Sequence, residues 1–272
     1  MILRGAMGRV FAIAVTTFRD CTRDTVFYVA LLAFTALLFI SGWATFFGLE
    51  REAAMMREMG LSTITMGGLF LLLVQGTGTV AAEFRSGTLQ TVVSKPARRN
   101  ELVLGKYFGI IALLALAVVV LTAMFLCVLW LREGRSPFQA GGTTAHEEPF
   151  GLRALKASAL VFLELSLVAA FVIFVTLLTS RPAGAVISFA AFTLGHLSEG
   201  PAAWLRGHGG RAGEIAAALT PRLEFFRVTQ AAVEGRPPIE WHYILLGLGY
   251  AVIGAAIFLL AAMMLIKRRE IR

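Results

Sequence analysis

Charge is scarce in this 272-residue chain: Asp, Glu, Lys and Arg together make up 15%, against 57% hydrophobic residues. A soluble protein could not cover so much apolar surface with so few charges, so the excess must face lipid. Cysteine is scarce too. Cys21 lies near a membrane boundary and Cys127 inside an apolar run, so no mutual disulfide is expected. No paired-cysteine metal spacing exists, and His146-Glu147-Glu148-Pro149 breaks the HExxH pattern at once. A phosphate-binding loop is missing, because Gly105-Lys106 runs into Tyr107 and lacks the required upstream glycine. No GxSxG elbow occurs. The longest stretch outside the apolar runs, Glu199–His242, has 44 residues, near the lower limit for an independent domain. These absences exclude an attached soluble catalytic or nucleotide-binding domain. No cofactor and no metal are expected.

Long apolar runs are what the sequence does have: Val26–Phe47, Leu61–Ala82, Tyr107–Leu131, Ala157–Ser180, Pro182–Ser198 and Tyr243–Ile266. About 20 apolar residues in a helix cross the hydrocarbon core. Five runs pass easily, and Pro182–Ser198, with 17 residues, is marginal. The expected fold is all-α, a single polytopic membrane domain over residues 1–272 with six transmembrane helices. With the N-terminus inside, 14 of the 25 basic residues fall in short inner segments beside the spans, and Lys267-Arg268-Arg269 joins the basic N-terminus there. The distribution of Lys and Arg therefore predicts an N-in, C-in protein of the cytoplasmic membrane. Tyr28 and Trp43, Tyr107 and Trp130, and Trp241 and Tyr243 stand where interfacial aromatics belong. A net charge of +8 has its explanation in this topology, so no nucleic-acid partner is expected. The early stretch 10–18 is short and is followed by Arg19, Asp20, Arg23 and Asp24, so no cleaved signal peptide is expected.

Between the spans, Met7–Arg19 places Val10, Phe11, Ala14, Val15 and Phe18 on one helical face. That pattern predicts an N-terminal interfacial helix, the alternative being an inward extension of the first span. On the inner side, residues 83–107 read EFRSGTLQTVVSKPARRNELVLGKY. Thr88–Ser94 suffices for two helical turns with Leu89, Val92 and Val93 on one face; Pro96 ends them and Asn100 can cap the next helix. A short helix across the inner face would suit docking of a cytoplasmic partner, although a basic loop obeying the charge rule would look similar. Spans four and five, joined only around Arg181, should form a tight antiparallel hairpin. Past Thr220-Pro221, an apolar stretch with Leu223, Phe225, Phe226 and Val228 should lie half-buried at the outer surface. Small residues at Gly67, Gly68, Gly76, Gly78 and Ala82, and at Gly247, Ala251 and Ala255, predict close helix packing. Glu164 is the one acid well inside a span. It should face protein or water, with Thr193 or His196 as a partner, and it is the intramembrane polar candidate together with His196.

The phrase 83–109, with Gly87-Thr88-Leu89, Ser94-Lys95-Pro96, Arg98-Arg99, Glu101 and Leu104-Gly105-Lys106-Tyr107, resembles the inner loop of type-2 ABC exporter permeases. More narrowly, it is similar to the branch that includes the copper-enzyme-maturation permease. Thr17-Phe18-Arg19-Asp20 with Arg23-Asp24 and Phe27-Tyr28, Thr220–Phe226, and Lys267–Glu270 resemble that family's first helix, last outer segment and basic terminus. Arg222 departs from it, since Asn is frequent there. The resemblance implies a permease subunit that couples ATP hydrolysis on separate ATP-binding subunits, in two copies, to export of a substrate. It implies as well a second permease copy or paralogue, and no enzyme activity in this chain. The coupling helix would then use Gly87, Thr88, Leu89, Val92 and Val93 to fill a groove of the ATP-binding subunit. Arg85, Lys95, Arg98 and Arg99 would position it against headgroups or partner acids. Two other readings fit the residues alone: a membrane-embedded scaffold or regulatory protein, and an intramembrane enzyme using Glu164 and His196.

Overall fold

The computed structural model describes residues 2–44, 52–80, 99–133, 149–196, 223, 226 and 240–269. Every element among them is helical: α1 (Ile2–Arg23), α2 (Thr25–Ala44), α3 (Glu52–Leu71), α4 (Arg99–Glu133), α5 (Phe150–Leu178), α6 (Arg181–His196) and α7 (Trp241–Arg269). A π-helical stretch, Leu72–Gly76, continues α3, and a last α-turn carries it to residue 80. Five helices are long and apolar enough to cross a membrane: Thr25–Gly42, Met55–Val80, Asn100–Leu131, Phe150–Leu178 and Trp241–Ile266. They coincide with five of the six expected runs. The run at Pro182–Ser198 is represented by α6, whose 16 residues extend about 24 Å, short of a core about 30 Å thick.

Helix α5 is the hub. In α5, 89% of the span is buried, against 22% for each of the spans in α2 and α7. A helix apolar all round has no polar face to turn outward, and α3, α4, α6 and α7 surround it. Contact with α3 is close where Gly68 faces Leu165 and Gly76 faces Val172. Against α7, Gly254 faces Leu167, and Phe258 meets Phe171 edge-on with ring centroids 5.2 Å apart. Gly247, Ala251 and Ala255 are buried, so the predicted small-residue stripe of the last span is used inside the chain. Antiparallel α6 returns along α5, as expected from the short joint. Gly184 sits against Thr176, and Ala191 packs with Phe171 and Val175. The turn is closed by Thr179 N–H donating to the Val175 carbonyl (3.0 Å) and Gly184 N–H to the Ser180 carbonyl (2.8 Å).

The N-terminal helix differs from the interfacial expectation. Rather than lying apart, α1 runs lengthwise along the start of α4. Ile13 meets Gly105, Thr17 meets Gly109, and Cys21 packs with Leu113 and Ala117. The parallel course continues into α2 with its register shifted past Asp24: Phe34 meets Gly67 beside Leu121, and Gly42 faces Val128. Helices α1 and α2 thus form one nearly continuous line parallel to α4, broken only at Asp24, and the alternative of an extended first span describes it. Of the predicted apolar stripe, Val10, Ala14, Val15 and Phe18 are half-buried, Phe18 against the Cys21 cluster, while Phe11 is 71% exposed; Ile13, Thr17 and Cys21 join the inward face. Glycines at 105 and 109 decide this, because they let the α1 backbone approach where a larger α4 residue would hold it away.

Among the residues of the predicted outer stretch, Leu223 and Phe226 are described, and both are fully buried rather than half-buried. Leu223 N–H donates to the Gly195 carbonyl at 3.2 Å, and Phe226 lies 5.9 Å from the Tyr250 ring.

Candidate functional site

One end of the bundle gathers polar side chains from α1, the extension of α3, α4 and α6. Arg9 on α1 forms a two-pronged ion pair with Glu101 in the first turn of α4, Nε–Oε2 2.8 Å and Nη2–Oε1 2.7 Å. Glu101 is buried, and an acid in a helix's first turn also suits the local dipole. The carboxylate's hydrogen bond raises the Arg9 pKa, so this guanidinium stays charged. One turn further along α4, the buried Lys106 ammonium donates to the Thr79 carbonyl in the last turn of the α3 extension.

Asp24 marks the break between α1 and α2. Its Oδ1 accepts from the Val26 N–H and caps α2, while Oδ2 accepts from Gln75 Nε2, both at 3.0 Å. Gln75 lies in the π-helical stretch, where the extra residue per turn changes the direction its side chain takes. These hydrogen bonds, first the backbone one and then that from Gln75, hold the Asp24 carboxyl below the usual range, with Arg181 adding to the effect. Arg181, at the start of α6, lies over α3; a Cβ on Gly78 would come 3.0 Å from its Nη2. The buried Cys21 thiol beneath this layer is pushed up to about 11, by burial and then by Asp20 and Asp24. That makes it a poor nucleophile at neutral pH.

These groups clamp the two helices that flank residues 81–98. Lys106 ties the end of the α3 extension to α4, Arg9 ties α4 to α1, and Asp24 ties the α1–α2 break back to α3. The predicted coupling residues Arg85, Gly87, Thr88, Leu89, Val92, Val93 and Arg98, with Lys95, lie outside the described residues. Arg99 begins α4, and its side chain is likewise outside them.

Toward the other end, the intramembrane pair expected from sequence does meet. His196 Nε2 lies 3.3 Å from Glu164 Oε1, with the Glu164 side chain 2% exposed and that of His196 28%. Thr193 takes no part, since its hydroxyl donates to the Phe189 carbonyl of its own helix. The Phe192 ring stacks 4.5 Å from His196. Two cations cover aromatic faces nearer that end, Arg57 over Phe150 at 4.3 Å and Lys156 over Trp241 at 5.1 Å. No group of three or more metal-ligating side chains occurs among the described residues.

The polar clamp is what sequence reasoning missed. Glu101 and Lys106 stand out as parts of a phrase, yet their partners Arg9 and Thr79 are separated from them by 92 and 27 positions. A usable signal exists in Gly105-x-x-x-Gly109, a close-approach motif at the head of α4 that asks which helix it receives.

Five apolar helices of spanning length, one of them the buried hub α5, define a multi-pass α-helical membrane protein. Within that class, a family model described as "Protein of unknown function (DUF2705)" matches residues 61–272, and the chain belongs to that family. No curated protein matches it.

Proposed function

We propose that the chain is the permease subunit of an ABC transporter of the export type, with ATP hydrolysed by separate ATP-binding subunits. The observation that carries this reading is the polar clamp. Residues 81–98, whose sequence resembles a coupling segment, are flanked on one side by α3 and on the other by α4. Lys106 joins these helices to each other, and Arg9–Glu101 joins α4 to α1. A push on the segment would be delivered to α1, α3 and α4 as one unit instead of being lost in a loose loop.

In this reading the clamped end is cytoplasmic, both termini are inside, and α6 completes the short sixth crossing in the cytoplasmic membrane. Two ATP-binding subunits dock on the segment around Gly87–Val93, and a second permease copy or paralogue completes the transporter. The scaffold alternative differs in what docks there. For an intramembrane enzyme, Glu164 and His196 do meet, but 2% exposure leaves the acid no access to a substrate. We assign the pair instead as a tie between α5 and α6.

The test is purification of the tagged chain from its native membrane in mild detergent, with mass spectrometry of what stays bound. A stoichiometric ATP-binding subunit that is lost in Leu89→Arg, with insertion intact, is the expected result, because a charge would enter an apolar docking groove. Retention of that subunit by Leu89→Arg, or a stoichiometric partner that binds no ATP, would overturn the assignment.

A further inference from the structure

Helix α3 does not run evenly to its end. Its backbone is regular at Leu71 (φ −58°, ψ −43°) and again at Thr77 (φ −70°, ψ −34°), and between them Leu72–Gly76 is π-helical. Such a turn carries one surplus residue. It is closed tightly, since the Thr77 N–H donates only three residues back, to the Val74 carbonyl. Every position beyond it, out to residue 80, is therefore set back by one place from a continuous α-helix. One place is about 100° of rotation and about 1.5 Å along the axis.

Ties from three other elements fall on residues 72–80. Gln75 Nε2 donates to Asp24 Oδ2 at 3.0 Å, the Lys106 ammonium donates to the Thr79 carbonyl, and Arg181 lies over Gly78. The first holds the π stretch itself. Its acceptor is exposed while Gln75 is buried, so water can take Gln75's place at that carboxylate. The run Gly76-Thr77-Gly78-Thr79 that follows holds nothing larger than threonine. Thr77 and Thr79 donate their hydroxyls to the Leu73 and Gln75 carbonyls of their own helix, the usual solution for such residues. Both can turn with the helix without breaking a bond to a neighbour.

We infer that Leu72–Gly76 is a register switch, latched in its π form by the Gln75–Asp24 bond. When that bond opens, the stretch rewinds as α-helix and the surplus residue passes out at the helix end. The last turn then advances by one place. Thr77 takes the position of Gly78 beside Arg181, and Gly78 takes that of Thr79 beside Lys106. Every residue brings a backbone carbonyl, so Lys106 has an acceptor in both states, and no bulky side chain has to pass α4 or α6. Residue 80 leads straight into 81–98, so the switch sets the direction in which the chain leaves α3. It stands on α3 and its ties, whatever docks on that segment.

The experiment uses the full chain in nanodiscs, in a Cys21→Ala/Cys127→Ala background. Arg181→Cys is combined with either Gly78→Cys or Thr77→Cys, a short bis-methanethiosulfonate joins the pair, and linked peptides are quantified by mass spectrometry. The latched protein should link through Gly78→Cys. Gln75→Leu, which removes the donor, should raise the ratio of Thr77→Cys to Gly78→Cys linkage about tenfold, the change expected from losing one bond to a charged acceptor. Asp24→Ser should do the same, because serine still caps α2 but has no second oxygen for Gln75. It carries the test if Gln75→Leu does not elute as a folded species. Deleting Val74 removes the surplus residue and leaves the last turn where it stands, so Gln75→Leu in that deletion should keep linking through Gly78→Cys. A ratio within about threefold of the parent's in the folded latch variant would overturn the switch. So would an equal rise with and without Val74, which would mean a loosened helix end in place of a change of register.

Discussion

Substituting Gly109 by Ala tests whether α1 is held by close backbone approach. A Cβ at this position would lie 2.7 Å from Thr17 Cβ and 2.8 Å from the Ala14 carbonyl oxygen. Unstrained carbon contacts sit at about 3.5–4.0 Å, so α1 must retreat by about 0.7 Å or more. A backbone oxygen cannot swing aside as a side-chain tip would, which places the cost toward the top of the roughly 1–3 kcal/mol typical of overpacking. Ala regains about 1 kcal/mol in helix propensity, leaving about 2 kcal/mol against docking. At 1.4 kcal/mol per tenfold, the undocked fraction of α1 rises roughly 30-fold. Hydrogen exchange by mass spectrometry on peptides covering 9–21, in nanodiscs, reads that change directly. Gly8→Ala, whose Cβ would meet nothing within 4 Å, is the matched control and should exchange no faster than the parent. Exchange in Gly109→Ala within threefold of the parent, or an equal acceleration in Gly8→Ala, would refute the packing argument.

Three further outcomes are expected. Glu101→Gln should also speed exchange across 9–21, and Arg9→Gln should do so in the same direction, the double variant being no worse than the more affected single one because both changes break one pair. Asp24, with its pKa held down, stabilises the α1–α2 joint fully above about pH 4; that contribution is lost as the pH falls through the lowered value. A spin label at Thr25 should therefore keep constant mobility from pH 7 to about 4 and loosen below it, and Asp24→Asn should abolish the transition. His196→Leu should lower the thermal midpoint, with a loss of about 1–2 kcal/mol, because Glu164 loses the imidazole 3.3 Å away; Glu164→Leu/His196→Leu should recover most of it.

The spans were legible because each is a local property: an uninterrupted apolar run states its own length. The α5–α6 hairpin was legible for the same reason, with two helices joined at Arg181 having no room to do anything but turn. Glu164 narrowed its partner to Thr193 or His196 through its cost, since a lone acid in a span must find a polar neighbour, and the fold brings it to His196. The clamp at the other end was hidden. Arg9 and Glu101 look like ordinary boundary charges, and their pairing depends on the α1–α4 register, which no local pattern specifies. Within the α1 stripe Phe11 was misplaced, because the glycines of the receiving helix, which bring in Ile13 and Thr17, leave no mark on α1 itself.

Pairing α1 with the head of α4 also has a consequence for synthesis. Arg9 and Glu101 are 92 positions apart, so at roughly 5–20 residues per second α1 leaves the ribosome some 5–20 seconds before its partner exists. Through that interval its inward face has nothing to pack on. An amphipathic helix can wait at the membrane surface, where headgroups take Arg9 and acyl tails take Val10, Ile13 and Phe11. The pattern that reads as an interfacial helix would then suit α1 in that interval, before the glycines of α4 are made.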